Sequence, residues 1–442
     1  MLVPDEAVDL LGQPAVPPYE QPGALASSST AESDPAPGEP APPTPPPAGS
    51  LAAGEFLAGD GVRGVGMICI IVAHLAGGTL VIDHGFGQNF RAAYGDFPGI
   101  VMSGLQLALP VFFVLSAYLI SRPYVRAYVL GRRTPSLRRY LRNRALRIVP
   151  VFWLLSVLML VAYGTQGSSP LDLAALFGFA QIYHTSGASN FIGQAWTIDV
   201  EVAFYLTVPL SAWLITAATR RHAARRGGRP LSPRGRVALI CGLLGAATVV
   251  SAFLRARTIG TLWTESPPAT FYYFAPGVAL AALELEFAGP LARGRLPHLS
   301  LVLGLGSFAG GALLALAASV DPNALLRARG AFGVAVATGL AFAALLARQC
   351  ARTDSPRWVD NPISRWLGAR SYPCYIIQSA TIFEVFKLVG HVGGPWAQLL
   401  VLTGLGLPLT LVAGAIVHAA VERPVLARGR GRTHRAVVAR NA

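Results

Sequence analysis

Residues 237–254 read VALICGLLGAATVVSAFL, a run without a charged side chain that is flanked by Arg236 and Arg255. A run of this length is a candidate transmembrane helix, because about 20 helical residues cross roughly 30 Å of hydrocarbon. Similar apolar runs recur along most of the chain. The sequence therefore predicts an all-α integral membrane protein.

The composition also indicates that the solvent of this chain is a bilayer. Hydrophobic residues make up 53% of the 442 residues and charged residues only 13%, whereas soluble domains carry about 25% charged residues. The formal net charge of +14 comes from arginines in short segments between apolar runs. That pattern is typical of membrane topology and anionic headgroups, and it disfavours nucleic acid as a partner. The scattered cysteines suggest neither a disulfide framework nor a metal site.

Ten apolar stretches are long enough to be predicted as transmembrane helices. They are residues 62–82, 101–121, 147–164, 197–217, 237–254, 270–288, 299–319, 330–348, 366–388 and 396–418. Arginine-rich segments are predicted to face the cytoplasm, because cytoplasmic loops carry an excess of Lys and Arg. These segments are residues 122–147, 220–236, 293–295, 348–365 and the tail after residue 422.

The parity of the crossings tests this count. The loops 122–147 and 220–236 must be separated by an even number of crossings if both are cytoplasmic. The spans 147–164 and 197–217 already supply that number, so the weaker stretch 171–184 is predicted to be interfacial or re-entrant. The prediction is a polytopic bundle of about ten helices with both termini in the cytoplasm.

The two ends of the chain differ from the membrane part. Residues 1–57 are rich in Pro, Ala, Ser and acidic residues, a composition that predicts a disordered tail on the cytoplasmic side. Residues 58–425 are predicted to form the membrane domain. Residues 426–442 are predicted to be a basic cytoplasmic tail.

Ionisable side chains inside apolar spans are candidate site residues, because they are costly in a bilayer. Arg63 and His74 are eleven residues apart, so in a helix they share nearly one face about 16 Å apart. His74 is either a base for a hydroxyl proton or a structural histidine that bonds a neighbouring helix. Glu201 and Tyr205 share a face of the fourth span, with Asp199 on the opposite side. Glu201 either orients His74 or is a hydrated structural group.

Other polar side chains have weaker interpretations. Ser116 is an isolated hydroxyl in the second span, where serine most often bonds its own backbone. Glu284 and Glu286 are predicted at the cytoplasmic interface. Arg255 and Arg257 follow the outer end of the fifth span, against the positive-inside bias, and are candidates to meet an anionic acceptor or a buried acid.

Six segments of the chain resemble the type 3 family of bacterial membrane acyltransferases, and they stand in the family's order. They are DGVRGVGMICIIVAH (60–74), LPVFFVLSAYLI (109–120), RRYLRNRALRIVPVFWL (138–154), WTIDVEVAFYLTVP (196–209), WLGARSYPCYIIQ (366–378) and VERP (421–424). Each segment is weakly specific alone, and their order makes the set specific. The resemblance covers residues 58–425 and identifies this part as a membrane acyltransferase domain.

The resemblance implies an activity and a location. Members of the family move an acyl group, commonly acetyl from acetyl-CoA, to hydroxyls of sugars in surface glycans or glycosylated metabolites. We therefore expect a multi-pass O-acyltransferase of the bacterial cell membrane, with the bilayer, acyl-CoA and a hydroxyl-bearing glycan or glycosylated acceptor as partners. Acyl-CoA, with acetyl-CoA favoured, is expected as a co-substrate and no cofactor as a bound group.

The resemblance also assigns roles to residues. Arg63 and His74 match the family's essential Arg/His pair, and Glu201 matches its acidic residue. Trp196 and Tyr205 match aromatic positions that are expected to contact the substrate. His74, oriented by Glu201, is expected to deprotonate the acceptor.

Further arginines and hydroxyls complete the expected donor site. Arg63 and the arginine-rich segment 132–147, which includes Arg144 and Arg147, are expected to bind the CoA phosphates. Direct attack and an acyl-enzyme are both open at this point, and Ser116 or Tyr205 is the candidate nucleophile for the second route.

The chain departs from the family at several positions. Gln378 stands where many members have histidine, so this position cannot supply a second base. Val202 and Ala203 replace a Glu and a Gln, and Asp199 replaces a usual Ser. These departures indicate a divergent substrate pocket.

A transporter without acyl chemistry is the alternative prediction. Ten helices and intramembrane charges are also typical of transporters. However, the two halves of the chain show no repeat, and no pair of Gly/Pro-broken helices stands in corresponding positions.

Overall fold

The computed structural model describes residues 59–84, 90–105, 108–165, 167–184, 192–225, 227–258, 262–293 and 361–429. Every regular element in these ranges is helical, so the predicted all-α class is confirmed for them. The predicted spans 299–319 and 330–348 lie outside the described residues. So do the predicted N-terminal tail and most of the C-terminal one.

The helices are numbered here in chain order. They are α1 (Gly59–His84), α2 (Phe90–Tyr94), α3 (Asp96–Leu105), α4 (Ala108–Val129), α5 (Leu137–Tyr163), α6 (Pro170–Phe177), α7 (Trp196–Arg225), α8 (Pro233–Thr258), α9 (Pro267–Thr270), α10 (Ala275–Arg293), α11 (Pro362–Ala369), α12 (Ser371–Val389) and α13 (Pro395–Val417). Short 3₁₀ turns precede α7, α9 and α10, and a π-helical turn, His418–Glu422, follows α13.

Six of the described helical stretches are long and apolar enough to cross a bilayer. They are Gly59–Gly78, Ala108–Val129, Leu137–Tyr163, Gly193–Arg225, Pro233–Arg255 and Pro395–Gly429. The structure therefore supports a polytopic membrane protein. The total of ten crossings and the cytoplasmic position of both termini stay predictions.

The predicted second span and the loop after it need correction. Helix α4 starts at Ala108 and continues to Val129, and α5 already starts at Leu137. Arg122 therefore lies inside a helix rather than in a basic loop 122–147. The sequence interpretation failed because it assumed that an arginine ends an apolar span, whereas this arginine has a buried partner.

That partner is Glu284 on α10. Its side chain is buried at 4% exposure, and its Oε1 accepts a hydrogen bond of 2.7 Å from Arg122 Nε. Its Oε2 accepts one of 2.5 Å from the Tyr118 hydroxyl. Glu284 is therefore a buried, paired carboxylate between α4 and α10 rather than an exposed one, while its depth in the bilayer stays a prediction. Its neighbour Glu286 instead pairs with the exposed Arg234 at 3.2 Å.

Helices α4 and α10 also approach closely at Gly277. A Cβ atom at this position would lie 2.2 Å from the backbone oxygen of Val114 and 2.8 Å from Ala117 Cβ. Only glycine allows two helix backbones to come this near. The close contact and the Arg122–Glu284 pair together fix α4, which carries Ser116, against α10.

Two predicted spans are broken in the structure. The stretch 270–288 contains the end of α9, a 3₁₀ turn and then α10, which begins only at Ala275. The stretch 366–388 is divided between α11 and α12 at Arg370. Helix α11 crosses the start of α1 so closely that a Cβ at Gly368 would lie 1.8 Å from the Asp60 backbone oxygen.

The stretch 171–184 forms no crossing helix, in agreement with its predicted interfacial or re-entrant character. Helix α6 has 8 residues and is therefore about 12 Å long. Ser169 caps it, and hydrogen bonds from the Ser169 side chain and backbone lower the pKa of the Asp172 carboxyl. The backbone N–H of Ile182, in the next turn, donates to Asp199 of α7 at 3.2 Å, which attaches this segment to the bundle.

Candidate active site

A cavity of about 100 Å³ lies between α1, α4, α5, α7 and α12. Six residues that the sequence analysis selected line it: Arg63, Ser116, Arg144, Arg147, Glu201 and Tyr205. They come from four helices and are up to 142 positions apart in the chain (205 − 63). The structure therefore gathers most of the predicted site residues into one place.

Glu201 is the carboxylate in the lining of this cavity. Its Oε1 accepts a hydrogen bond of 2.9 Å from Ser116 Oγ on α4 and one of 2.8 Å from the Tyr205 hydroxyl one turn further along α7. Two donors on one oxygen hold the carboxylate in a defined orientation. The alternative that Ser116 bonds only its own backbone is therefore wrong.

Three arginines line the cavity together with this carboxylate. Arg63 forms an ion pair of 3.2 Å with Asp60 at the start of α1, and it also interacts electrostatically with Glu201 and Arg147. The guanidinium of Arg144 lies 5.5 Å from the centroid of the Tyr205 ring. Because three cations and one carboxylate line the cavity, the lining carries an excess of positive charge. Such a lining favours an anion, and guanidinium groups match phosphate oxygens with paired donors.

Aromatic side chains form much of the remaining wall. Tyr372 and Tyr375 of α12 line the cavity, and the Tyr375 hydroxyl lies 2.9 Å from Thr197 Oγ1 on α7. Trp196 stands beside the cavity, with its ring 6.4 Å from that of Phe113, a lining residue. Trp196, which was predicted to contact the substrate, therefore does not line the cavity itself but packs against a residue that does.

His74 lies apart from the lining of this cavity. It is on α1, three turns from Arg63, and the side chain with which its imidazole interacts is Gln378 of α12. The structure does not bring His74 to Glu201, whose Oε1 is bonded to Ser116 and Tyr205. Gln378 is one turn beyond Tyr375, which lines the cavity, so His74 interacts with the helix that forms one wall of the cavity.

The remaining polar candidates have structural partners. Arg255 pairs with the carboxylate of Glu265 at 2.9 Å, so it meets an acid, as one alternative proposed, although this acid is only partly buried. Arg257 lies over the ring of Phe253, 4.8 Å from its centroid. Asp199 is buried at 1% exposure and bonds the backbone of the segment before α7.

The sequence analysis missed Gln194 and the roles of the two tyrosines. Gln194 Nε2 donates to the backbone oxygens of Tyr375 at 2.8 Å and Ile376 at 3.0 Å, which joins the start of α7 to α12. Tyr372 donates to the Ile148 oxygen of α5 at 2.9 Å. Both tyrosines lie in the segment 366–378, which resembles a family signature, and that position is the sequence signal that could have identified them.

The arrangement combines a cationic pocket, an oriented carboxylate and a histidine. The pocket can bind an anionic group, and the histidine can accept a proton from a hydroxyl group. His74 is about 16 Å along α1 from Arg63, so a ligand anchored at the arginines must be elongated to reach it. An extended molecule with phosphates at one end and a reactive group at the other fits this spacing.

Comparisons with known proteins indicate an acyltransferase. The model of a family described as "Acyltransferase domain" matches residues 57–417. A curated relative, "Exopolysaccharide production protein ExoZ" of Rhizobium meliloti (strain 1021), is 25% identical over 339 residues, which cover 73% of this chain and 90% of that protein. No solved structure matches the chain significantly.

Proposed function

The chain belongs to the type 3 acyltransferase family, and from that premise we propose that it is an O-acyltransferase that uses an acyl-CoA donor. The observation that carries this proposal is the cavity that Arg63, Arg144 and Arg147 line together with Glu201. An acyl-CoA is elongated, with phosphates at one end and the thioester at the other. It therefore matches a cationic pocket that is separated from a histidine along the helix axis.

The arginines are proposed to hold the donor by its phosphates. Charge-assisted hydrogen bonds from guanidinium to phosphate contribute about 1.5–3 kcal/mol each. The excess positive charge of the lining supports this assignment, because three arginines and one carboxylate line the pocket among the described residues, and Asp60 pairs with Arg63 from outside the lining. Acetyl is the proposed acyl group, and the family resemblance is its support.

His74 is proposed as the base for the transfer. It takes the proton of the acceptor hydroxyl while the hydroxyl oxygen attacks the thioester carbonyl. The new C–O ester bond forms, the C–S bond breaks, and the proton passes to the CoA thiolate. A positioned base contributes roughly 10²–10⁴-fold to such a step. Direct attack is proposed over an acyl-enzyme, because the hydrogen-bond partner of Ser116 Oγ is the carboxylate of Glu201, which shares the cavity with three arginines and is a weak base.

Glu201 is proposed to act in the donor pocket rather than on His74. Its bonds from Ser116 and Tyr205 and its interaction with Arg63 support this role. A fixed carboxylate among arginines offsets the repulsion between their guanidinium groups and helps to hold them in one arrangement. This is a change from the expectation that Glu201 orients the histidine.

A polysaccharide unit is the proposed acceptor, at the bacterial cell membrane. The support is the name of the relative, which links that protein to exopolysaccharide production. The long apolar helices support transfer within or at the surface of a bilayer.

The experiment is transfer of label from radioactive acetyl-CoA in membranes that contain the wild type, His74→Ala or His391→Ala at matched levels. His391 is an exposed histidine in the loop between α12 and α13 and serves as the control. We expect incorporation by the wild type and the control, and at most about 1% of it in His74→Ala, because the base is lost. Equal incorporation in all three would remove His74 from the mechanism. No incorporation in any of them, with acceptor glycan supplied, would contradict the acetyl donor.

A further inference from the structure

Gln378 is a buried amide that the proposed mechanism has not used. It lies on α12 at 0% exposure, and its side chain is the one that interacts with His74. The family resemblance places histidine at this position in many members. A glutamine there cannot exchange protons, so its contribution to His74 must come from hydrogen bonding.

The orientation of the amide follows from its other partner. Gln378 Nε2 donates to the backbone oxygen of Tyr375 at 2.9 Å. A carbonyl oxygen only accepts, so the atom at this distance must be the nitrogen, and the two ends of the amide are not interchangeable. Gln378 Oε1 is buried and has no partner at hydrogen-bond distance among the described residues.

The Tyr375 oxygen that holds the amide is itself held. Gln194 donates to the same oxygen at 2.8 Å, and Ser379 donates to Gln194 Oε1. The amide of Gln378 is therefore fixed through a network that joins α12 to the start of α7. A fixed, unpaired carbonyl oxygen is costly by about 1–3 kcal/mol, and a nearby N–H donor would remove that cost.

We propose that Gln378 is the positioning residue for His74. Its Oε1 accepts the N–H of one imidazole nitrogen, which fixes the tautomer and leaves the lone pair of the other nitrogen to take the acceptor's proton. The contact is longer than a hydrogen bond in this structure, and it shortens in the reacting complex, as catalytic hydrogen bonds often do. This inference rests on the proposed function, because it assigns a role around the same base.

The amide takes the place that a carboxylate occupies in many histidine-containing sites. Glu201 does not fill that place, because the side chain with which His74 interacts is Gln378. A neutral amide orients the imidazole without adding a buried charge next to the apolar surroundings of α1. The imidazolium that forms during transfer is also stabilised by the same oxygen, although less than by a carboxylate.

The test uses Gln378→Leu and Gln378→Glu in the full-length protein, with Gln398→Leu as the matched control. Gln398 is also buried at 0% exposure, on the neighbouring helix α13, where it bonds the backbone of residues 390 and 392. Acetyl transfer is measured as kcat and KM across pH in detergent, after size-exclusion chromatography has shown folded protein. His74→Ala is run in parallel.

Gln378→Leu is expected to lower kcat at least about tenfold and to leave KM for the donor unchanged. A positioned base raises the rate roughly 10²–10⁴-fold, and loss of its orientation removes part of that gain. Gln378→Glu is expected to move the acid limb of the pH–rate profile upward by about 1–3 pH units, because an adjacent carboxylate favours protonated His74. Gln398→Leu is expected to leave the profile in place.

Either variant alone can overturn the inference. A Leu variant with wild-type kcat, or a Glu variant with the wild-type pH profile, would show that Gln378 does not act on the base. If His74→Ala is inactive in the same experiment, the proposed function survives that result. If His74→Ala retains full activity, the assignment of His74 as the base fails together with the inference.

Discussion

Glu201 is the residue at which hydrogen bonding and charge meet in the cavity. Its Oε1 accepts from Ser116 and Tyr205, while three arginines line the cavity together with it. Its position in the fourth predicted span marked it as a candidate, but its partners did not follow from the sequence. Ser116 is 85 positions away, and only the packing of α4 against α7 brings the two side chains together.

Glu201→Gln is expected to fold and to lose affinity for the donor. The amide oxygen can still accept from both hydroxyls, but the charge that offsets the repulsion between the guanidinium groups is gone, so their arrangement for phosphate binding is lost. We expect KM for acetyl-CoA to rise by at least about tenfold, the equivalent of roughly 1.4 kcal/mol, and kcat to fall by a smaller factor. Steady-state kinetics with thermal unfolding as the folding control measure this. A variant with wild-type KM and a large loss in kcat would place Glu201 at the base instead.

Ser116→Ala is expected to cost about tenfold or less in kcat, because one neutral hydrogen bond contributes about 0.5–1.5 kcal/mol. The measurement is the rate of acetyl transfer, together with mass spectrometry of the protein after incubation with donor alone. A covalently acetylated Ser116 in the wild type, with complete loss of activity in the variant, would contradict direct transfer and establish an acyl-enzyme.

At the scale of elements, the pair of α4 and α10 supports the site. Gly277 permits their close approach, and the Arg122–Glu284 ion pair joins them inside the bundle. The sequence predicted a helix for the stretches of both α4 and α10, because the apolar composition of each is enough to predict one. It did not predict the ion pair, because a charged residue near the end of an apolar run reads as interfacial unless its partner is known.

Gly277→Leu is expected to separate α4 from α10 and to lower stability by several kcal/mol. A Cβ would lie 2.2 Å from a backbone oxygen, and overpacking of a core costs about 1–3 kcal/mol or more. The loss is measured as a lower apparent Tm in detergent. The control is Gly245→Leu on α8, where nothing lies within 4 Å of an added Cβ. Equal Tm values for both variants would contradict this packing.

Glu284→Leu alone is expected to destabilise the protein more than the double variant that carries both Arg122→Met and Glu284→Leu. Removing one partner of a buried pair leaves an uncompensated charge at a cost of about 3–5 kcal/mol, whereas replacing both is often neutral. Thermal unfolding of the two single variants and the double variant gives this comparison. Additive losses in the double variant would show that the two side chains do not interact.

At the scale of the whole molecule, the family and the membrane class follow from the sequence, and the cavity does not. The six motif segments supply nearly all of the predicted site residues, yet their common location depends on how α1, α4, α5, α7 and α12 pack. Gln194 lies just outside a motif and carried no signal. The pairing of Glu201 with His74 was expected because acid and base often pair, and the structure gives each a different partner.

The cytoplasmic location of the C-terminus remains a topological prediction of the arginine-rich segments. A reporter that is active only in the cytoplasm, fused after Ala442, is expected to be active. A matched reporter that is active only outside the cytoplasm is expected to be silent at the same position. The reverse pattern would mean that the number of crossings differs from ten by an odd number, or that the whole bundle has the opposite orientation in the membrane.

The assignment of the cavity as the donor site is tested most directly by binding of CoA to the purified protein. Titration calorimetry compares the wild type, Arg147→Gln and the control Arg220→Gln, whose arginine is exposed near the end of α7. We expect Arg147→Gln to weaken binding about 10- to 100-fold, because one charge-assisted contact of roughly 1.5–3 kcal/mol is lost, and the control to bind like the wild type. Equal affinities for all three proteins would show that CoA does not bind at these arginines.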